Sequence, residues 1–139
     1  MSRKRISSGS PYEKPIGFSR AVRTGSRILV SGTAPIAGDG SPAYPGDVYR
    51  QTLHCLQIIG KAILEAGGRL EDVVRTRVYL TDARTWKDAG KAHGEFFGSI
   101  RPASTFVEVS GLIDPLWMVE IEAECDLEKP DENETNQKK

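Results

Sequence analysis

Residues 101–125 read RPASTFVEVSGLIDPLWMVEIEAEC, and the fold follows from how this stretch alternates. Thr105, Val107 and Val109 alternate with Phe106, Glu108 and Ser110, the period of two that marks a half-buried strand. Gly111 and the Asp114-Pro115 pair interrupt the pattern as a turn. It resumes from Met118 to Cys125, where Met118, Glu120, Glu122 and Glu124 alternate with Val119, Ile121, Ala123 and Cys125. Three carboxylates therefore share one face of a single strand, which is not the pattern of ordinary core.

Working outward, the segment before this stretch predicts a helix that begins near Asp82 or Thr85 and runs to Phe97. Trp86, Ala89, His93, Phe96 and Phe97 form its inner side, and Gly90 and Gly94 each weaken it by about 1 kcal/mol relative to Ala. Val73 to Leu80 predicts a strand, with Arg75, Arg77 and Tyr79 on one face and Val74, Thr76, Val78 and Leu80 on the other. A longer helix spans Asp47 to Ala66. Val48, Thr52, Cys55, Leu56, Ile59, Ile63 and Ala66 recur at helical spacing, Asp47 suits the N-cap, and Gly67-Gly68 suits the stop. Phe18–Arg23 and Arg27–Ser31 read as two strands joined at Thr24-Gly25. Residues 1–16, rich in Ser and Pro, read as a flexible, irregular segment; 17–127 read as one domain; 128–139 have nothing to bury and read as a disordered tail.

The resulting order is β-β-α-β-α-β-β, an α+β domain with two helices on one face of a mixed sheet. The other face carries Arg75 and Arg77 opposite Glu120, Glu122 and Glu124. Such a face either meets solvent or meets another copy with its opposite charges paired, because unpaired burial is costly.

The 139 residues carry 19 Lys+Arg and 19 Asp+Glu, so the electrostatic footprint of a nucleic-acid binder is missing. No apolar run approaches the ~18 residues of a membrane span, and the basic MSRKR start is not followed by the apolar region of a secretory signal. Cys55 and Cys125 lack metal or redox spacing and read as reduced, buried thiols of a cytoplasmic protein. His54 and His93 have no second ligand at i+4, so no metal site is implied.

Four segments carry a resemblance: ILVSGTAPI at 28–36, VRTRVYLTD at 74–82, PASTFVEV at 102–109 and VEIEAE at 119–124. In this order, over Gly17 to Leu127, they resemble the Rid family (RidA/YjgF, reactive-intermediate deaminases, also called L-PSP). The resemblance implies a chorismate-mutase-like fold, a homotrimer whose sheets form a barrel, and small-molecule clefts between subunits. It also implies hydrolysis of 2-imino acids to 2-keto acids without a metal or organic cofactor. That chemistry needs a cation for the substrate carboxylate, ideally a bidentate Arg, and a carboxylate that positions water.

On the matching positions, Glu120 falls on the family's water-positioning Glu, with pairing to a neighbouring arginine as its structural alternative. Ser31-Gly32 falls on a Ser-Gly beside the pocket, which is equally a turn device. Phe18 keeps the ring of a lining Tyr, and Gly90 replaces an Asn. At Ser104 the deaminases carry Arg; here Pro102-Ala103-Ser104-Thr105 offers a hydroxyl, and a charge-assisted bond worth roughly 1.5–3 kcal/mol is lost. Arg101, Arg77 and Arg20 are the cations that could take its place, Arg101 being nearest in sequence. Ser104, Thr105 and Phe106 remain substrate-facing candidates, Phe106 and Trp117 chiefly as packing. The leading expectation is a divergent imine or enamine hydrolase, the alternative is a non-catalytic metabolite-binding trimer, and a ribonuclease or translation inhibitor comes third.

Overall fold

The computed structural model describes residues 3–128. Six strands and three α-helices follow the order β1 (Lys4–Ile6), α1 (Glu13–Ile16), β2 (Ala21–Thr24), β3 (Arg27–Thr33), α2 (Val48–Glu65), β4 (Val73–Leu80), α3 (Trp86–Phe97), β5 (Ala103–Glu108) and β6 (Val119–Asp126). They form one mixed sheet in the order β1-β2-β3-β6-β4-β5. Every neighbouring pair is antiparallel except β4 and β5, which run parallel because α3 carries the chain across between them. The two strands of the 101–125 stretch are therefore not neighbours: β4 lies between them.

The helices cover one face, as their apolar spacing predicts. Leu56, Ile59 and Ile63 of α2 and Phe97 of α3 meet Ile28, Val78, Leu80, Val119 and Ile121, all fully or almost fully buried. The Asp47 side chain accepts the Arg50 N–H at 3.0 Å and caps α2. Gly67 closes the helix in the left-handed region (φ 89°). Gly68 follows with no room for a side chain, since a Cβ there would stand 2.7 Å from Ile28 Cδ1 and 3.2 Å from Ile63 Cγ2. Gly68→Ala is expected to destabilise the fold by about 1–3 kcal/mol through overpacking, read as a lowered urea midpoint with an unchanged m-value.

Several expectations are corrected. Residues 1–16 were expected to be irregular, yet β1 pairs with β2 and α1 packs beside it. The anchors are Ile6, which is buried, the edge-on contact of Tyr12 with Trp117 at 5.4 Å, and the buried Glu13. Phe18 precedes β2 rather than opening it. β5 is not half-buried; it ends the sheet, and only Phe106 among its side chains packs on the core. In β4 an irregular register between Val73 and Arg75 turns Val73 inward and leaves Val74 exposed. Trp86 opens α3 on its outside, 55% exposed. The expectation of a disordered tail concerns residues almost all of which lie outside those described.

One buried polar residue was not anticipated. Gln51, on the inner side of α2, donates to Ala43 O (3.1 Å) and Leu116 O (3.0 Å) and accepts from Met118 N (2.9 Å). It thereby ties the loop that leads into β6 to the main helix, and β6 carries the candidate site.

Candidate functional site

The open face of the sheet holds the three glutamates. Glu124 is paired twice, with Arg77 Nη1 at 3.2 Å and Arg27 Nη2 at 3.4 Å. Glu122 accepts the Tyr79 hydroxyl, and that bond raises the Tyr79 pKa. Glu120 differs. No hydrogen bond or ion pair reaches its carboxylate from any described residue, although Tyr79 lies directly across from it in the register. It is half-buried, and burial pushes its pKa up, assisted by Glu122 and opposed by Arg20.

What holds Glu120 in place is the approach of Gly32. The β3–β6 register slips between Val30 and Thr33, and at this bulge a Cβ on Gly32 would stand 2.6 Å from Glu120 Oε2. Only glycine leaves that space to the carboxylate. Gly32→Ala is expected to change stability by less than about 1 kcal/mol, because the clashing atom ends a flexible side chain. It is expected to displace the Glu120 carboxylate, measured as a shifted carboxyl ¹³C signal beside a thermal melt.

Arg20 supports the bulge from the core side. Its side chain is buried and donates from Nη1 to Gly32 O (2.6 Å) and Thr33 Oγ1 (3.1 Å) and from Nε to Ser8 Oγ (3.2 Å), while Nη2 faces Glu13 Oε2 at 3.6 Å. Burial works against the Glu13 carboxylate, but the Ser8 and Ser7 hydroxyls (2.6 and 2.7 Å), the Ser8 N–H and Arg20 hold its pKa below the usual value. With its donors so engaged, Arg20 is a brace and not a free cation. Its guanidinium also lies over the Phe18 ring, 5.3 Å from the centroid, which fixes Phe18 beside the bulge. Ser31 donates to Ser19 O at 2.6 Å.

The remaining candidates stand elsewhere. Ser104 is paired in register with Thr76, whose hydroxyl donates to it at 2.7 Å. Thr76 Oγ1 is also 2.8 Å from His93 Nε2. Phe106 packs edge-on to His93, with centroids 5.5 Å apart. Thr105 lies on the open face opposite Arg77. Arg101 is exposed and has a left-handed backbone (φ 57°) just ahead of β5. From Glu120 to Ser104 the path crosses two strand spacings and three residues, roughly 10 Å in each direction, and ends on the opposite face. One chain therefore does not bring Glu120 and Ser104 to the same small molecule.

Sequence reasoning passed over Thr76 and His93 as site residues. Both carried a signal: each is a polar residue at an inward position of an otherwise apolar face. Among the described residues, no cluster of His, Cys, Asp or Glu is arranged to hold a metal ion. Cys55 and Cys125 are buried free thiols, and burial pushes Cys125 up to about 12. No described helix is long and apolar enough to cross a membrane.

The family model described as Endoribonuclease L-PSP matches residues 12–125. The chain belongs to this family. It is similar to an uncharacterised protein of Streptomyces coelicolor, 42% identical over 122 residues, covering 88% of this chain and 90% of that one. A RutC family protein of Pyrococcus abyssi is 37% identical over 111 residues, covering 79% and 87% respectively. Among solved structures, a Mycobacterium tuberculosis member of the YjgF/YER057c/UK114 family is 44% identical with a TM-score of 0.81, covering 91% of this chain and all of that one. The Escherichia coli YjgF gene product is 28% identical with a TM-score of 0.77, covering 88% and 98%. The α+β fold is thus the fold of the L-PSP and YjgF proteins.

Proposed function

We propose that this chain is a cofactor-independent hydrolase of reactive imines or enamines, acting in clefts between the subunits of a homotrimer. The observation that carries the reading is Glu120. It is the one of three neighbouring carboxylates without a described partner, and it is held half-buried against a glycine with a raised pKa. Those are the properties of a group reserved for water and a proton. In the reaction Glu120 takes a proton from water as the oxygen bonds to the imine carbon and the C=N π pair moves to nitrogen. Returning that proton to nitrogen gives the amino alcohol, and a second transfer through Glu120, from the alcohol's hydroxyl to nitrogen, lets ammonia leave as the carbonyl forms.

The trimer is supported by the same geometry. Phe18, Gly32 and Glu120 form one group and Ser104, Phe106 and Arg101 another, an arrangement that a second copy would complete as a cleft. β5, the outer strand, is open at its edge, and Leu29 and Val107 lie on the open face 44% and 43% exposed.

A metabolite-binding trimer without catalysis is the second reading. It is favoured by one feature: Ser104 offers no charge where family deaminases hold the substrate carboxylate. The ribonuclease named in the family description is the weakest reading, because the net charge is zero and three glutamates occupy the face a phosphate backbone would meet.

The test couples an amino-acid oxidase, as imine source, to the purified protein and follows imine loss for wild type and Ser104→Arg. Accelerated decay with wild type, or a gain with Ser104→Arg, supports the hydrolase. If both folded proteins leave the spontaneous rate unchanged, the hydrolase reading is lost and the binding reading replaces it.

A further inference from the structure

Position 104 holds more than a missing charge. Thr76 has a single hydroxyl proton, and Ser104 Oγ, 2.7 Å away, is an acceptor for it. With the proton so directed, the His93 Nε2 that approaches Thr76 Oγ1 at 2.8 Å serves as the donor of that contact, which requires its Nε2–H tautomer. His93 is packed against the rings of Phe97 (4.7 Å) and Phe106 (5.5 Å), and no described carboxylate hydrogen-bonds to it. Burial lowers its pKa and favours the neutral ring, and the Nε2–H tautomer is the one that leaves the Thr76 proton for Ser104. The chain of donors thus runs from His93 through the fully buried Thr76 to Ser104, each bond polarising the next. Ser104 itself is exposed on an edge strand, and once Thr76 donates to it, its own proton is left to point outward.

We propose that the His93–Thr76–Ser104 chain presents the Ser104 hydroxyl as an outward donor that selects an uncharged carbonyl oxygen, so that the substrate is a 2-imino amide or ester and not a 2-imino acid. This rests on the reading above in one respect: position 104 faces the cleft ligand. The physical reason is desolvation. A carboxylate entering a cleft must exchange its hydration for a cation or several donors, and one neutral hydroxyl does not supply that. A carbonyl oxygen asks for one good donor, which the relay provides. His93 and Thr76 are positioning residues and touch only each other and Ser104 in this role.

Binding and turnover are measured separately, so the two readings can fail independently. Pyruvamide and pyruvate stand in for the products of the two substrate classes, and their affinities are taken by NMR titration of the intact protein. Pyruvamide is expected to bind the wild type about 5- to 10-fold more tightly than pyruvate, and Ser104→Ala to erase that preference. Thr76→Val is expected to weaken it about 3-fold and Thr76→Ser to restore it, while Ser104→Arg reverses it. In Thr76→Val the His93 ring nitrogens, followed by their ¹⁵N shifts, should also lose the pure Nε2–H signature, a change that packing alone would not produce. Turnover is then followed with the 2-imino amide released from N-chloroalaninamide by loss of HCl.

The proposal is overturned if pyruvate binds as well as pyruvamide, as it would if Arg101 clamped a carboxylate. It is equally overturned if Ser104→Ala binds pyruvamide unchanged, or if neither compound binds. Imine turnover that survives Ser104→Ala would leave the hydrolase reading standing and remove the relay. The amide preference without turnover would do the reverse.

Discussion

Glu120→Gln is expected to lower kcat/KM for imine hydrolysis by about 10²- to 10³-fold, the range a positioned general base contributes, without loss of folded protein. Gln keeps the shape against Gly32 and removes only the proton acceptor. The pH dependence is a second signature. The Glu120 carboxyl titrates above its ordinary 4.5, so the acid limb of the wild-type kcat/KM profile should lie above the usual carboxylate range and be missing in the variant. Stability carries the same sign. A carboxyl whose folded pKa is raised favours the fold most below pH 4.5, and this contribution is lost as pH rises through the raised value. The variant should therefore melt at or above the wild-type temperature near pH 7, with the gap closing toward pH 4. A variant with wild-type turnover would remove Glu120 from the chemistry, and a variant that melts far lower would make it structural.

Arg20→Met should produce the largest loss of stability, about 3–5 kcal/mol, or roughly 10–20 °C in thermal midpoint. Met fills much of the volume, but it strands Glu13 among Ser7 and Ser8 and leaves Gly32 O without its 2.6 Å donor. Since Glu13 also loses its cationic neighbour, the double variant Glu13→Gln/Arg20→Met should recover part of the loss in a double-mutant cycle. Glu13 runs opposite to Glu120 in pH. Its pKa is lowered in the fold, so its contribution is present above pH 4.5 and disappears as pH falls through the folded value. Additive single and double variants would show that Arg20 and Glu13 act independently and would refute the Arg20–Glu13 pairing.

These two residues mark where sequence reading succeeds and where it stops. Glu120 was legible because alternation is local: a strand's period of two assigns Glu120, Glu122 and Glu124 to one face whatever lies beside it. Its distinction from the other two was not legible. That depends on which strands flank β6, and so on Arg77 and Arg27 reaching Glu124 while Tyr79 takes Glu122. Arg20 read as one more arginine near a strand, and Glu13 as part of an irregular leader. Only the pairing of β1 with β2 brings their side chains together.

By itself the sequence determined the α+β class, the two amphipathic helices with their cap and stop, and the inward and outward faces of most strands. Each is a property of neighbours within one or two turns or one strand, where geometry repeats with a fixed period. Tertiary structure alone decided the strand order that puts β4 between β5 and β6, the bulges that expose Val74 and seat Glu120 on Gly32, and the assembly of Arg20–Glu13 and His93–Thr76–Ser104. Those contacts join residues 7 to 28 positions apart or cross from strand to strand. Their cause is packing and the pairing of buried polar groups, and no local repeat in the chain records either.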